Sequence, residues 1–378
     1  MKFSCVKSDL VYAINIARRF QIAGRSIARK SPRQIFSGLY LLAENDLLEI
    51  QVADYEIGAI LHVKADIETS GDCVISGRIF HEVIRMLPDD EVTVQNDSST
   101  STVIISSGKS NFSLPSVNGV AFPIIYPIKD DMSFMVDSTV LKDLIYKTTF
   151  ACATNKKRPL FRGALLEVEG DKVRMVATNS HRLAFNEGRI EDDVSELFRY
   201  VIPKRILEEI EYILSSYALE KVQVAWAPSK LSFCVDKIYV QTRLIEGKFP
   251  EYRRVIPAEF SRQVTLSTAA FLSAVSRVGL IARTLEYNEI YLRFHNNAVY
   301  ISSNKTEAGK AEETMPAVIY GEDIEIAFCH SYLIDVLKII NSDTFILEMN
   351  GSSEVTIIRE PDNKNFFYVV MPVRMNHD

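Results

Sequence analysis

His181 is the side chain in this sequence best placed by its neighbours to move a proton. It follows an apolar run in RMVATNSHRLA (174–184), and an imidazole at a strand end can serve as a general base. That chemistry needs a partner nucleophile, and no GxSxG or comparable Ser or Cys motif accompanies it. The reading is therefore a structural or binding role beside Arg182. Gly108-Lys109-Ser110 resembles the end of a phosphate-binding loop, but that motif requires a glycine where Val103 stands. GKS also runs into strand-like NFSLP instead of a helix. GxGxxG and HExxH are absent. The histidines at 62, 81, 181, 295, 330 and 377 are dispersed, without the spacing of metal ligands. Asp89-Asp90, Asp130-Asp131 and Asp192-Asp193 fall in loop-like stretches and read as solvated turns. The expectation is no catalysis, no metal and no cofactor.

Composition sets the class. With 378 residues and roughly 100–200 per domain, two to four domains are expected. Hydrophobic residues at 47% and charged residues at 24% are globular proportions and exclude disordered and collagen-like chains. Cys5, Cys73, Cys152, Cys234 and Cys329 are scattered and never form CxxC, so they read as reduced thiols. The start MKFSCVKSDLVYAIN lacks the apolar run of a signal peptide, and no stretch approaches the ~20 apolar residues of a membrane span. A cytoplasmic protein with no membrane partner is expected.

The elements that must position these residues recur along the chain. IQVADYEIGA (50–59), RMVATNSHRLA (174–184) and VYISSNKTEAG (299–309) share an apolar strand, a small-residue turn and a polar continuation. Asp54, Asn179 and Asn304 sit at equivalent places, 125 residues apart at each step. A strand–helix–strand pattern follows each, at 74–94, 201–226 and 326–349, and strand-like segments ending at Pro123, Pro250 and Arg374 close each period. Each period also opens on an amphipathic helix beginning at or beside a Ser/Asp N-cap, at 8–20, 138–150 and 267–282. Their apolar faces are Leu10, Val11, Ile14 and Ala17; Leu141, Leu144, Ile145 and Thr148; and Phe271, Leu272, Val275 and Val278. Short alternating runs such as TVIISS and KVRMVA read as antiparallel strands with one buried face. The fold class is α+β: three repeats of one unit, each with two helices packed on antiparallel sheets, over 1–126, 127–254 and 255–378.

Charge is segregated. The chain is net −6, yet the six candidate helices together carry +4, and segments 21–33 and 151–162 carry +4 each, leaving −18 elsewhere. The loop cations are Arg25, Arg29, Lys30 and Arg33, then Lys156, Lys157, Arg158 and Arg162. An acidic protein that concentrates cations beside its helices has a surface for a polyanion, and phosphate contacts of this kind read no base sequence.

With these features together, the chain resembles the bacterial DNA polymerase sliding clamp family, the beta subunit of the replicative polymerase III holoenzyme. The resemblance runs end to end and is carried by ATNSHRLA (177–184), GKFPEYRRVIP (247–257), YVVMPVR (368–374) and the opening MKFSC. It implies a non-catalytic processivity factor: a head-to-tail homodimer of DNA-clamp domains closed into a ring around double-stranded DNA, helices inside and sheets outside. Partners implied are the polymerase alpha-type subunit, an ATP-driven clamp loader and other proteins bearing a clamp-binding motif. DNA-facing residues would be Arg25, Arg29, Lys30, Arg78, Lys156, Lys157, Arg158, Lys204 and Arg205. Subunit contacts are expected near Thr102–Ser106 and near Val278–Ala282. A peptide pocket is implied at Phe161, Thr178, His181, Arg182, Leu183, Pro250, Arg254, Val255, Tyr332, Val369, Val370, Met371, Pro372, Val373 and Arg374.

Three departures stand out. The family usually has Asp-Gly where this chain has Asn179-Ser180, which predicts an altered turn. Cys329 replaces a common Asn and would remove an amide from the pocket rim. The tail Met375–Asp378 would reach the groove. Two competing readings remain open at this level: a divergent clamp-like scaffold that encircles DNA poorly, and an enzyme using His181 with Arg182.

Overall fold

The structure, a computed structural model, describes residues 1–21, 38–97, 99–117, 119, 122–129, 132–155, 157–283, 288–305, 307 and 309–374, with the backbone alone at 195–196. Arg25, Arg29, Lys30, Arg33 and Lys156, and the tail 375–378, lie outside the described residues. Six α-helices occur among the described residues: α1 (Lys7–Phe20), α2 (Gly77–Met86), α3 (Ser138–Thr148), α4 (Lys204–Ser216), α5 (Thr268–Ala282) and α6 (His330–Leu337). Each coincides with a helix expected from the apolar spacing or from the recurring strand–helix–strand order. The expected inward positions of α3, Leu141, Leu144, Ile145 and Thr148, are all buried. Val11 in α1 and Leu272 in α5 are only half-buried, while Ala13, Ile16 and Phe20 complete the buried stripe of α1.

Helix starts fall at or beside the expected Ser/Asp residues, but without side-chain capping at α1 and α5. Val6 is the N-cap of α1 and Ser267 that of α5, and neither makes a side-chain cap hydrogen bond. In each repeat a strand runs directly into the opening helix, and a carbonyl from a distant turn caps the first amide. Lys7 N–H donates to Asp90 O at 2.7 Å, Ser138 N–H to Glu220 O at 2.8 Å and Thr268 N–H to Asp343 O at 2.9 Å. A tertiary carbonyl thus satisfies one of the amides a helix start leaves open, contributing about 0.5–1.5 kcal/mol per bond.

Contacts group the chain into two compact units, 1–139 with 209–244, and 140–208 with 245–378. The first holds a twelve-stranded sheet in which every ladder is antiparallel. Lys2–Val6 pairs with both Glu91–Asp97 and Ile57–Thr69, closing the strands of residues 2–117 on themselves. The ladder then crosses into the middle repeat, where Ile57–Leu61 pairs with Ile238–Thr242. The second unit holds a four-stranded and a seven-stranded sheet. Within the latter, the long hairpin Gly163–Thr178 and Arg182–Pro203 is continued by Asn363–Val370 of the third repeat.

The strand near which a subunit contact was expected, at Thr102–Ser106, is not a sheet edge. Thr102–Ser107 is paired on both sides, by Glu91–Asp97 and by Ser110–Val117. The free edge belongs to Ser110–Val117, whose second side is paired only at Ser116 and Val117, and Phe112 on it is exposed. Alternation alone marks a strand, but which strand ends a sheet depends on pairing partners distant in sequence. In the other expected contact region, Val278 and Ala282 are buried and Leu280 is exposed.

Helices α1 and α2 are tied together through His81, a buried polar residue. Arg18 Nη1 donates to His81 Nδ1 at 2.6 Å, and His81 Nε2–H donates to Asn15 Oδ1 at 2.7 Å. This arrangement uses the neutral ring. Burial, then the charges of Arg18 and Arg85, hold its pKa below the ordinary value. The unfolded chain therefore binds a proton more readily than the folded one. The His81 contribution to stability is complete above about pH 6.5 and is lost as pH falls from there through the depressed folded value. Denaturant midpoints measured between pH 7 and pH 5 should fall more in the wild type than in His81→Gln, which keeps one donor and one acceptor but does not titrate.

Candidate functional site

An apolar cavity of the second unit is built on the turn between the strands Gly163–Thr178 and Arg182–Pro203. Asn179 Oδ1 accepts from the amides of His181 (2.9 Å) and Arg182 (3.1 Å), and Thr178 Oγ1 donates to Arg182 O at 2.6 Å while accepting from Ser180 N–H at 3.0 Å. Ser180 has φ +77°, the left-handed region that glycine enters without strain. The Asn-Ser pair thus forms a tight turn, its asparagine oxygen accepting as an aspartate would. Ser180 Oγ also bonds Asn179 O and the Arg158 guanidinium.

Beyond the turn, Arg182 and Leu183 pair with Val370 and Val369, and Met371 N–H donates to His181 O at 2.9 Å. The opposite wall is the 3₁₀ turn Tyr252–Val255. The buried Glu167 carboxylate pins it, accepting from Tyr252 OH (3.1 Å) and Arg253 Nη2 (2.9 Å) and also meeting Arg174 (3.2 Å). Phe161 and Phe249 meet edge to face at 6.2 Å behind it.

These elements enclose about 220 Å³, lined by Phe161, Thr178, Ser180, His181, Arg182, Leu183, Phe249, Pro250, Glu251, Tyr252, Val255, Val355, Val369 and Met371. Nine of the residues expected at the pocket are among them. Arg254 is exposed on the 3₁₀ turn, Val370 is fully buried beneath the sheet, and Pro372, Val373 and Arg374 follow Met371 without lining the cavity. Val373 instead donates to Ala327 O at 2.7 Å. Tyr332 lines an adjoining space of about 440 Å³, shared with Asn179, Ser180, His181, Arg182, Lys157 and Arg158. Sequence reasoning missed Ser180, Phe249, Glu251, Tyr252 and Val355. Phe249, Glu251 and Tyr252 lie inside the quoted run GKFPEYRRVIP and were within reach, whereas nothing local marks Val355, which follows the loop GSSE.

Arg182 links the two spaces. It is buried, its Nη1 donates to Asp335 Oδ2 and its Nη2 to Phe150 O, both at 2.6 Å, and its guanidinium lies over the Tyr332 ring at 4.6 Å. Its Nε is buried with no hydrogen-bond partner among the described residues.

Family models for the DNA polymerase III beta subunit match residues 1–126 (N-terminal domain), 135–251 (central domain) and 253–374 (C-terminal domain). This chain belongs to the DNA polymerase III beta subunit family. The Beta sliding clamp of Bacillus subtilis is 28% identical to it over 99% of this chain and 100% of its own, and that of Vibrio cholerae 27% over 99% and 100%. The solved Bacillus subtilis sliding clamp superposes with a TM-score of 0.92 at 27% identity, covering 100% of both chains. A Pseudomonas aeruginosa clamp solved with griselimycin bound gives 0.91 at 25%, covering 99% of this chain and 100% of its own. Three clamp domains of mixed helix and antiparallel sheet are thus the architecture of this chain.

Against that family pattern, Cys329 does not sit on the cavity rim. It is the N-cap of α6, with Sγ 3.2 Å from Ser331 Oγ, and lines neither space. Of the expected DNA-facing residues, Arg78 is exposed in the first turn of α2 and bonds Glu82 at 3.1 Å. Lys204 opens α4, 3.3 Å from Glu208, with Arg205 exposed beside it. Lys157 and Arg158 line the space beside Tyr332. Among the described residues no His/Cys/Asp/Glu group is arranged to hold a metal, and no helix is long and apolar enough to cross a membrane. The buried Cys5, Cys73 and Cys152 thiols are pushed up to about 12 by burial, which keeps them protonated and unreactive.

Ser180 pays a left-handed backbone cost that glycine would not. Ser180→Gly should therefore raise stability by up to about 1 kcal/mol, seen as a higher denaturant midpoint. No change, or a lower midpoint, would mean that the Ser180 hydroxyl contacts outweigh the strain.

Proposed function

We propose that this chain is a non-catalytic processivity factor. Two copies close head to tail into a ring around duplex DNA and tether the replicative polymerase and other partners carrying a clamp-binding peptide. The three domains span 1–126, 127–254 and 255–378. The observation that carries the tethering role is the apolar cavity beside the turn at Asn179. An apolar guest side chain would enter between Leu183, Val369 and Met371. Met371 supplies a surface that adapts to different guests.

Family membership supports the ring, and sheet edges give it a physical basis. The exposed edge of Ser110–Val117, with Phe112, and the edge strand Glu312–Pro316 of the four-stranded sheet are complementary ends for pairing between copies, which would leave no open edge. Threading then does the work of affinity. Arg78, Lys157, Arg158, Lys204 and Arg205, with Arg25, Arg29, Lys30 and Lys156, would make exchangeable phosphate contacts that are equivalent at every base step. Tethering raises the local concentration of polymerase at the template.

The decisive test is retention on nicked circular DNA before and after linearisation. Retention on the circle and loss from the linear form are expected, and equal retention on both would refute encirclement. Phe112→Glu should convert dimer to monomer in sedimentation, and an unchanged dimer would reject the edge assignment. Met371→Ala should weaken a Leu/Phe-anchored partner peptide by about tenfold, or 1.4 kcal/mol, with the dimer intact. Unaltered affinity would reject the pocket.

A further inference from the structure

The first unit contains a second cavity, of about 210 Å³, where strands of the first and middle repeats meet. Its backbone repeats three bonds of the apolar cavity's frame. Asp54 Oδ1 accepts from the amides of Glu56 and Ile57, both at 2.7 Å, as Asn179 Oδ1 does from His181 and Arg182. Arg243 N–H donates to Glu56 O at 2.8 Å, as Met371 N–H does to His181 O at 2.9 Å. A proline segment, 123–126, forms the facing wall as Pro250 and its successors do in the other.

The side chains on this frame differ in kind. Gly58 stands at the register position of Leu183. A Cβ there would lie 2.4 Å from Ile125 Cδ1, so Ile125 fills the deep apolar space. Its backbone is fixed by Ile125 N–H donating to the buried Gln51 Oε1 at 2.8 Å. At the rim, Arg243 takes the place of Met371, and its cross-strand neighbour Lys230 takes that of Val355. Both are exposed, and among the described residues neither has an ion-pair partner. Tyr55 and Tyr126 stand beside them, 62% and 75% exposed.

We propose that this junction is a second docking site, which takes an acidic peptide segment of a protein partner. A guest carboxylate would sit on Lys230 and Arg243, the latter able to bind it in bidentate fashion, while the exposed tyrosine rings supply contact area. With the apolar socket filled by Ile125, charge instead of a Leu or Phe anchor selects the guest. Asp54 and Glu56, the latter bonded through its carbonyl to Arg243 N–H, flank these cations and disfavour a continuous run of phosphates, so a peptide with spaced carboxylates fits and a nucleic acid strand does not. The inference goes beyond the proposed function and holds whether or not the apolar cavity takes a peptide.

The test uses the full chain and a short fluorescent peptide in which glutamates alternate with tyrosine and leucine, read by anisotropy. Saturable binding is expected, with at least about a tenfold loss in the Lys230→Glu/Arg243→Glu double variant and a smaller loss in the neutral Lys230→Ala/Arg243→Gln variant. Met371→Ala should leave this binding unchanged. No saturable binding, equal binding by either double variant, or equal binding of the same peptide with lysines for glutamates would overturn the proposal. Loss of binding in Met371→Ala would assign the peptide to the apolar cavity instead. Displacement by oligothymidylate at peptide-like concentration would make the occupant a nucleic acid and overturn the peptide assignment.

Discussion

An antiparallel strand has two rows of backbone donors and acceptors, and a sheet that ends leaves one row open. In this chain each junction between repeats uses such an edge. Ile57–Leu61 takes Ile238–Thr242 as its neighbour, and Arg182–Asn186 takes Phe366–Val370. Everything at the two cavities follows from this pairing. The turns at Asp54 and Asn179 are held from inside by an Asx hydrogen bond and from outside by an amide of the arriving strand. The cavities are therefore lined by residues nearly two hundred positions apart in sequence, fixed on backbone ladders instead of loose loops.

A repeated backbone does not carry a repeated chemistry. At one junction Leu183, Val369, Met371 and Val355 make an apolar recess, with Arg182 held at its edge by Asp335 and Phe150 O. At the other, Gly58 admits Ile125 into the equivalent depth, and Arg243 with Lys230 turns the rim cationic. The hydrogen-bonded frame tolerates this divergence because its bonds are made by main-chain groups and one Asn or Asp oxygen. The side chains projecting from it are left to vary with the guest.

The same division of labour appears at the helix starts. Serines beside the helices suggested side-chain caps, whereas Asp90, Glu220 and Asp343 carbonyls do the capping from another part of each repeat. A strand that runs straight into a helix holds the junction residue extended, and the docking turn satisfies the first amide. This recurring bond is a stronger mark of common architecture than any of the short segments quoted for it, since local identity between the repeats is weak.

Much of this was legible in the residues alone. The apolar spacing of Leu141, Leu144, Ile145 and Thr148 fixed a helix and its buried face, because side-chain period is a local property of the backbone. ATNSHRLA and GKFPEYRRVIP marked two walls of the apolar cavity, because a turn and its flanking strand ends are contiguous in sequence. What only the tertiary structure decided depends on partners far along the chain. Val355 enters the lining, Cys329 leaves it for a helix cap, Val370 turns beneath the sheet, and the open edge moves from Thr102–Ser107 to Ser110–Val117. Strand order and register set these outcomes, and a one-residue change of register moves a side chain to the opposite face. No local pattern of residue types encodes which distant strand will arrive.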